Sequence, residues 1–209
     1  QQTTLTLAGK ENTKANYIAK SVAVTSAESN VGELVVDNAT LKTTEGGISV
    51  NGKLALKNAE VTAGGKEQPT VSLYGTGAEA AFSGKVTING DLSFEKRDAT
   101  DLSVVLGSKD ANGLELNVTN ELSIEGGSLT IKGYKKGVDE ATEDTTTLVK
   151  ANEVTMHSEN GTASKLIIDR NGTLETADLN IGYNPTQKEQ LKGAVTVTNG
   201  GQLIVTGNG

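Results

Sequence analysis

The segment EKRDATD (95–101) gathers Glu95, Lys96, Arg97, Asp98 and Asp101 within seven residues, and Asp169-Arg170 forms a second, smaller charged pair. Carboxylates held about 5–10 Å apart can act as acid and base on a glycosidic bond. The simpler reading of EKRDATD is a solvated loop. Sugar cleavage also calls for aromatic platforms, and Tyr17, Tyr74, Tyr134 and Tyr183 are scattered along the chain. The single histidine, His157, sits in VTMHSENG, where it reads as a polar residue facing a turn. Ser158 is its neighbour, and neighbours on a strand point to opposite faces, so the two make a poor nucleophile–base pair. There is no cysteine, no DxDxDG-type calcium loop, and no GGxGxD spacing among the paired glycines at 46–47, 64–65, 126–127 and 200–201. These residues therefore point to no catalytic, cofactor-binding or metal-binding set.

The elements that position these groups are short strands. Apolar residues alternate with polar ones in segment after segment: Leu34/Val36, Ile48/Val50, Leu54/Leu56, Val86/Ile88, Leu122/Ile124, Leu166/Ile168, Leu203/Val205. No stretch sustains a helical period. The best candidate, KGVDEATEDTTTLVK (136–150), is polar nearly all round and reads as a loop. The class is all-β.

One phrase recurs. Anchors at Val22, Leu54, Leu92, Leu122, Val154 and Val195 are each followed two residues later by another apolar side chain. Four residues before the anchors stand Ile18, Val50, Ile88, Val118, Lys150 and Leu191. The position two before each anchor holds Lys20, Gly52, Gly90, Asn120, Asn152 and Gly193, mostly residues that tolerate positive φ. In ISVNGKLALKNA (48–59) this would make Asn51-Gly52 a hairpin turn or, as expected here, a single left-handed bend between strands of one coil. A constant motif with elastic gaps suits a solenoid, whose inward side chains must stack while its loops lengthen freely. About seven to nine rungs are expected. A β-sandwich is the structural alternative.

Composition narrows the functions. The 209 residues carry a net charge of −7, with 25 glycines, no tryptophan and only 3% aromatic residues. The densest basic site is Lys135-Lys136, too little for a nucleic-acid footprint. No apolar run is long enough for a membrane-spanning helix. The Thr-x-Thr phrases are too irregular for a flat threonine rank. Asn-x-Thr sequons stand at Asn38, Asn117, Asn160 and Asn171.

The phrases VTINGDLSF, ELSIEGGSLTIKG and AVTVTNGGQLIVTGNG resemble the passenger regions of bacterial autotransporters, the adhesins exported by type V secretion. That resemblance is one of texture along nearly the whole chain. It implies a right-handed parallel β-helix, secretion to the bacterial cell surface through an outer-membrane barrel absent from this chain, and a role in adhesion, biofilm formation or virulence. Residues 1–209 would form one β-helix segment cut from a longer passenger, its ends inclined to end-to-end contact. The GDSGS-type motif of the serine-protease branch does not occur. The expected protein is a non-enzymatic stalk that meets a host glycan, a matrix protein or a sister cell. Its expected contact elements are the excursions 9–17, 95–101, 132–147 and 182–193. The runner-up is a polysaccharide-active β-helix enzyme of the tailspike or lyase kind. Carboxylates collected in one groove would favour that enzyme, and scattered ones the adhesin.

Overall fold

A computed structural model describes residues 3–26, 31–65, 70–97, 102–159, 161–182 and 193–207. In chain order the described strands are β1 (Thr3–Ala8), β2 (Ala15–Ala19), β3 (Val22–Val24), β4 (Gly32–Asp37), β5 (Ala39–Thr43), β6 (Ile48–Lys57), β7 (Glu60–Thr62), β8 (Thr70–Asn89) and β9 (Asp91–Glu95). They continue with β10 (Ser103–Leu106), β11 (Leu114–Glu125), β12 (Gly127–Lys132), β13 (Thr147–His157), β14 (Ser164–Asp169), β15 (Gly172–Ile181), β16 (Gly193–Val197) and β17 (Gln202–Val205). No helix occurs among the described residues, and every ladder between these strands is parallel. A β-sandwich built from hairpins is thereby set aside. The arrangement is consistent with a β-solenoid.

The ladders sort the strands into three tracks. On track one, Leu5, Leu34, Leu54 and Ala80 align, followed by Val104, Leu129, Leu166 and Val195. This track divides into two ladders, which meet where β10 packs beside β8. Track two stacks Tyr17, Leu41, Val61, Ile88, Val118, Ala151, Thr176 and Val205. Track three stacks Val22, Ile48, Val71, Leu92, Leu122, Val154 and Leu179. The chain returns to a track after as few as 20 residues, from Leu34 to Leu54, and as many as 37, from Leu129 to Leu166. Long strands serve two or three tracks in succession. Thus β8 pairs through Val71–Tyr74 on track three, through Glu79–Ser83 on track one and through Gly84–Ile88 on track two.

The interior is a column of aliphatic side chains, because a parallel stack places like positions of successive strands about 4.8 Å apart. Leu34, Val36, Leu54, Leu56, Val71, Leu73, Leu92, Leu122 and Ile124 are all buried. Both phenylalanines, Phe82 and Phe94, are contributed by one pass of the chain through the tracks and are equally buried.

The anchor phrase behaves differently from the sequence expectation in one respect. Ile48–Val50 and Leu54–Leu56 are not paired with each other, so Asn51-Gly52 is no hairpin. Yet φ is positive only at Gly52 (127°) and Gly90 (125°), and not at Asn120, Asn152 or Gly193. The six phrases belong to two tracks: Leu54 and Val195 begin track-one segments, whereas Val22, Leu92, Leu122 and Val154 begin track-three segments. Their spacing differs too. Val118 stands four residues before Leu122 but pairs with Ala151, three before Val154, and the β11–β13 ladder shifts register there. Ile18, expected inward, is 74% exposed, and Lys150 faces outward to pair with Glu175. The chain does repeat a left-handed corner, between tracks one and two. It is made by Asn12, Asn38, Asn58, Gly84, Gly113, Asn171 and Asn199, with φ between 46° and 65°. At Gly84 a Cβ would lie 2.1 Å from Asn58 Oδ1, so the two corner residues of adjacent turns constrain each other.

Candidate functional site

Track three carries its outward side chains in three parallel ranks. The middle rank runs Ala23, Ser49, Ser72, Ser93, Ser123, Thr155, Asn180, each opposite the next in the ladder. Ser72, Ser93, Ser123 and Thr155 are buried although they point away from the core, because larger neighbours stand over them on both sides. One edge rank is Asp91, Glu121, Glu153 and Asp178. Glu121 faces Glu153 and Glu153 faces Asp178, while the Glu121 backbone N–H donates to Asp91 Oδ1 at 3.2 Å. The opposite edge rank is Tyr74, Glu95, Glu125 and His157, again in register. The stretch from Ala23 to Ser123 of the middle rank, with Asp91 and Glu121 on one edge and Glu95, Glu125 and His157 on the other, lines a groove of about 620 Å³.

The strand alternation that seals the core creates this face. In DLSFE (91–95), ELSIE (121–125) and EVTMH (153–157), the second and fourth residues point inward and the first, third and fifth outward. A small hydroxyl at the centre leaves a channel between the longer edge residues.

Electrostatically the groove is lopsided. Among the described residues, Asp91, Glu95, Glu121 and Glu125 line it, against the guanidinium of Arg97. Arg97 Nε donates to Glu95, its Cζ lies 3.8 Å from the centre of the Tyr74 ring, and Nη2 reaches Ser72 Oγ at 3.5 Å. Glu125 accepts a hydrogen bond from Ser93 Oγ at 3.2 Å. Burial first, and then the charge of Glu95, push the Glu125 pKa above the usual carboxylate range, against the opposing pull of Ser93 and His157. Thr155 Oγ1 and His157 Nδ1 are buried without a hydrogen-bond partner.

Of the residues singled out from the sequence, Glu95 and Arg97 enter the groove. Lys96 turns away, buried, with Nζ donating to Thr162 Oγ1 at 2.5 Å. Asp98 and Asp101 lie outside the described residues. His157 ends β13 beside Glu125 and lines the groove, so the turn reading is corrected. Asp169 and Arg170 are elsewhere: Asp169 accepts from Asn199 Nδ2 at 2.8 Å, and Arg170 pairs with Asp139 at 2.6 Å. That pair fastens the 132–147 excursion, which is also closed by Tyr134–Thr145 backbone bonds and by Lys136 N–H to Asp144. The first excursion closes on itself through Lys10 and Thr13, and Tyr17 Oη donates to the Ala8 carbonyl. Most of 182–193 lies outside the described residues. Among the described residues, no set of three His, Cys, Asp or Glu side chains is grouped to hold a metal ion.

The ranks of Asp91, Glu121, Glu153, Asp178 and of Ser49, Ser72, Ser93, Ser123 escaped the sequence reading. Their signal was the outward residues of DLSFE, ELSIE and EVTMH, phrases noticed only for their apolar positions. No protein-family model, curated protein or solved structure matches this chain, so its function is argued from geometry.

Proposed function

We propose that the chain is one segment of a surface-exposed, autotransporter-type passenger, folded as a right-handed parallel β-helix of eight turns, and that it acts by attachment rather than catalysis. In this reading the protein stands outside the bacterium, and the track-three groove is its adhesive face. The observation that supports it is the run of like charges in register. Carboxylates directly opposite one another on adjacent strands destabilise a sheet, and a fold that keeps them at Glu121, Glu153 and Asp178 and at Glu95 and Glu125 has a use for them. A hydroxyl floor between acidic rims suits an extended polar chain, such as a host or matrix glycan, lying along the stack.

The polysaccharide-active alternative gains from the same groove, since carboxylates are gathered there rather than scattered. Glu125, with its raised pKa, would be the acid, and Glu95, ion-paired with Arg97, the partner carboxylate. Two features favour binding. The ranks repeat along the face instead of converging on one point, and the face of Tyr74, which heads one edge rank, is taken by Arg97. Display of the segment on a non-adherent bacterium is expected to cause clumping or surface attachment, lost on replacing Glu121 and Glu125 by Gln. Unchanged attachment with display verified would refute the adhesive reading, and release of new reducing ends from a polysaccharide panel would install the enzymatic one.

A further inference from the structure

The groove on track three says more about its ligand than that it is polar. Its lining carries four carboxylates, Asp91, Glu95, Glu121 and Glu125, against one guanidinium already engaged by Glu95 and Tyr74. Its floor is a rank of hydroxyls that can both donate and accept. His157, in the groove's lining, leaves Nδ1 without a partner, and Thr155, 6% exposed and next after Ser123 in the hydroxyl rank, leaves Oγ1 unmatched at the groove's end. A buried polar atom without a partner costs free energy unless something arrives to meet it.

We propose that this groove binds an extended, amine-bearing polysaccharide of the polyglucosamine type, with ammonium groups on the Asp91–Glu121 and Glu95–Glu125 ranks and ring hydroxyls on the serine floor. The inference rests on reading this face as the attachment surface and names what attaches.

A divalent cation is disfavoured because the carboxylates form lines rather than the compact cage of oxygen ligands such an ion takes. A basic peptide matches the charge but not the floor. The groove lies on the face of a sheet whose backbone N–H and C=O groups are already spent in the ladders, so a peptide cannot add as a strand. A sugar chain brings hydroxyls to every serine and cations to both rims. Acid should weaken it, because protonation of Glu125, which Glu95, His157, Glu159 and Ser93 face, removes one of the groove's counter-charges.

Calorimetric titration of the whole chain with a glucosamine hexamer, an N-acetylglucosamine hexamer and an oligolysine of equal charge tests this. The glucosamine hexamer is expected to bind at least about tenfold more tightly than either comparator. Glu121→Gln with Glu125→Gln should cost at least another factor of about ten, and Lys53→Gln on track one should leave binding unchanged. If the double variant fails to fold, the unaltered chain supplies the test: about 0.5 M salt should abolish binding by screening. Equal binding of the acetylated sugar, equal binding of oligolysine, insensitivity to salt, or no binding at all would overturn the inference. Failure here with attachment of displaying cells intact would remove only the ligand class. Binding here without attachment would remove the adhesive reading instead.

Discussion

Track one and track three share β6, β8 and one interior, yet they treat charge in opposite ways. On track one the outward rank alternates in sign: Lys53 lies between Glu33 and Glu79, with Nζ 3.5 and 3.6 Å from their carboxylates. Asp37 faces Lys57, and Lys132 faces Asp169. Track two follows suit where Lys150 meets Glu175 at 3.2 Å. On track three Glu121, Glu153 and Asp178 stack on one another, and Glu95 stacks on Glu125. A surface that neutralises itself across each ladder asks for nothing from outside, whereas ranks of one sign hold unspent attraction for a partner. In the proposed attachment reading, tracks one and two give support and track three makes the contact.

The largest effect is expected from the interior that both faces share. Ile124→Ala removes a fully buried side chain directly behind the Ser123–Glu125 segment. It should cost about 2–5 kcal/mol in chemical denaturation. A loss below 1 kcal/mol would mean that track three is not seated on the common core. Next is the bend that carries β6 from track three to track one. Gly52→Val places a Cβ about 2.3 Å from the Gly32 carbonyl oxygen at φ 127°, and should cost at least 1–3 kcal/mol. Val at Gly193, where φ is not positive, lacks that backbone strain and meets a side chain, Ile181, so its cost should be the smaller of the two.

Smaller effects separate the two faces. A carboxyl whose pKa is raised on folding holds its proton more tightly in the native state. Its contribution therefore falls as pH climbs from the ordinary carboxylate value through the raised one. Glu125→Gln should flatten that part of the stability–pH curve and raise the melting temperature at neutral pH, while leaving stability at low pH nearly unchanged. Asp139 on the 132–147 excursion behaves in reverse. Its pKa is lowered, first by the Lys135 backbone N–H and then by Arg170, so Asp139→Asn should lose stability at neutral pH and not at low pH, read by the same melts. Smallest of all, Lys53→Gln on track one breaks partly exposed ion pairs and should cost at most about 1 kcal/mol. A stabilising Lys53→Gln would erase the contrast between the faces.

Much of the inward pattern was legible in the sequence. Leu34/Val36, Leu92/Phe94 and Leu166/Ile168 alternate because one side of each strand is sealed, and alternation survives any loop length. Which track a segment joins was not legible. Gly52 and Gly90 sit in near-identical phrases but turn different corners, and only the ladders separate them. Asn38, Asn58 and Asn171 stand in the small polar turns of LVVDNATLKT, LALKNAEVTA and LIIDRNGTLET, which read as turns between strands, but nothing local separates their positive φ from its absence at Asn120. The groove was hidden for a related reason. Glu121 and Glu153 are 32 positions apart, and their meeting depends on the one-residue register shift between Val118 and Glu121, which no local pattern announces. Among the described residues of EKRDATD, which is dense in charge along the sequence, Glu95 and Arg97 enter the groove and Lys96 turns away from it.

The central claim is that track three keeps like charges in register at a cost to stability for the sake of attachment. The direct test is to replace Glu121, Glu125 and Glu153 together by Gln and to follow both thermal stability at low ionic strength and attachment of displaying cells. The account predicts a higher melting temperature, with the gain shrinking as salt screens the native charges, and lost attachment. A lower melting temperature, or attachment that persists, would contradict it.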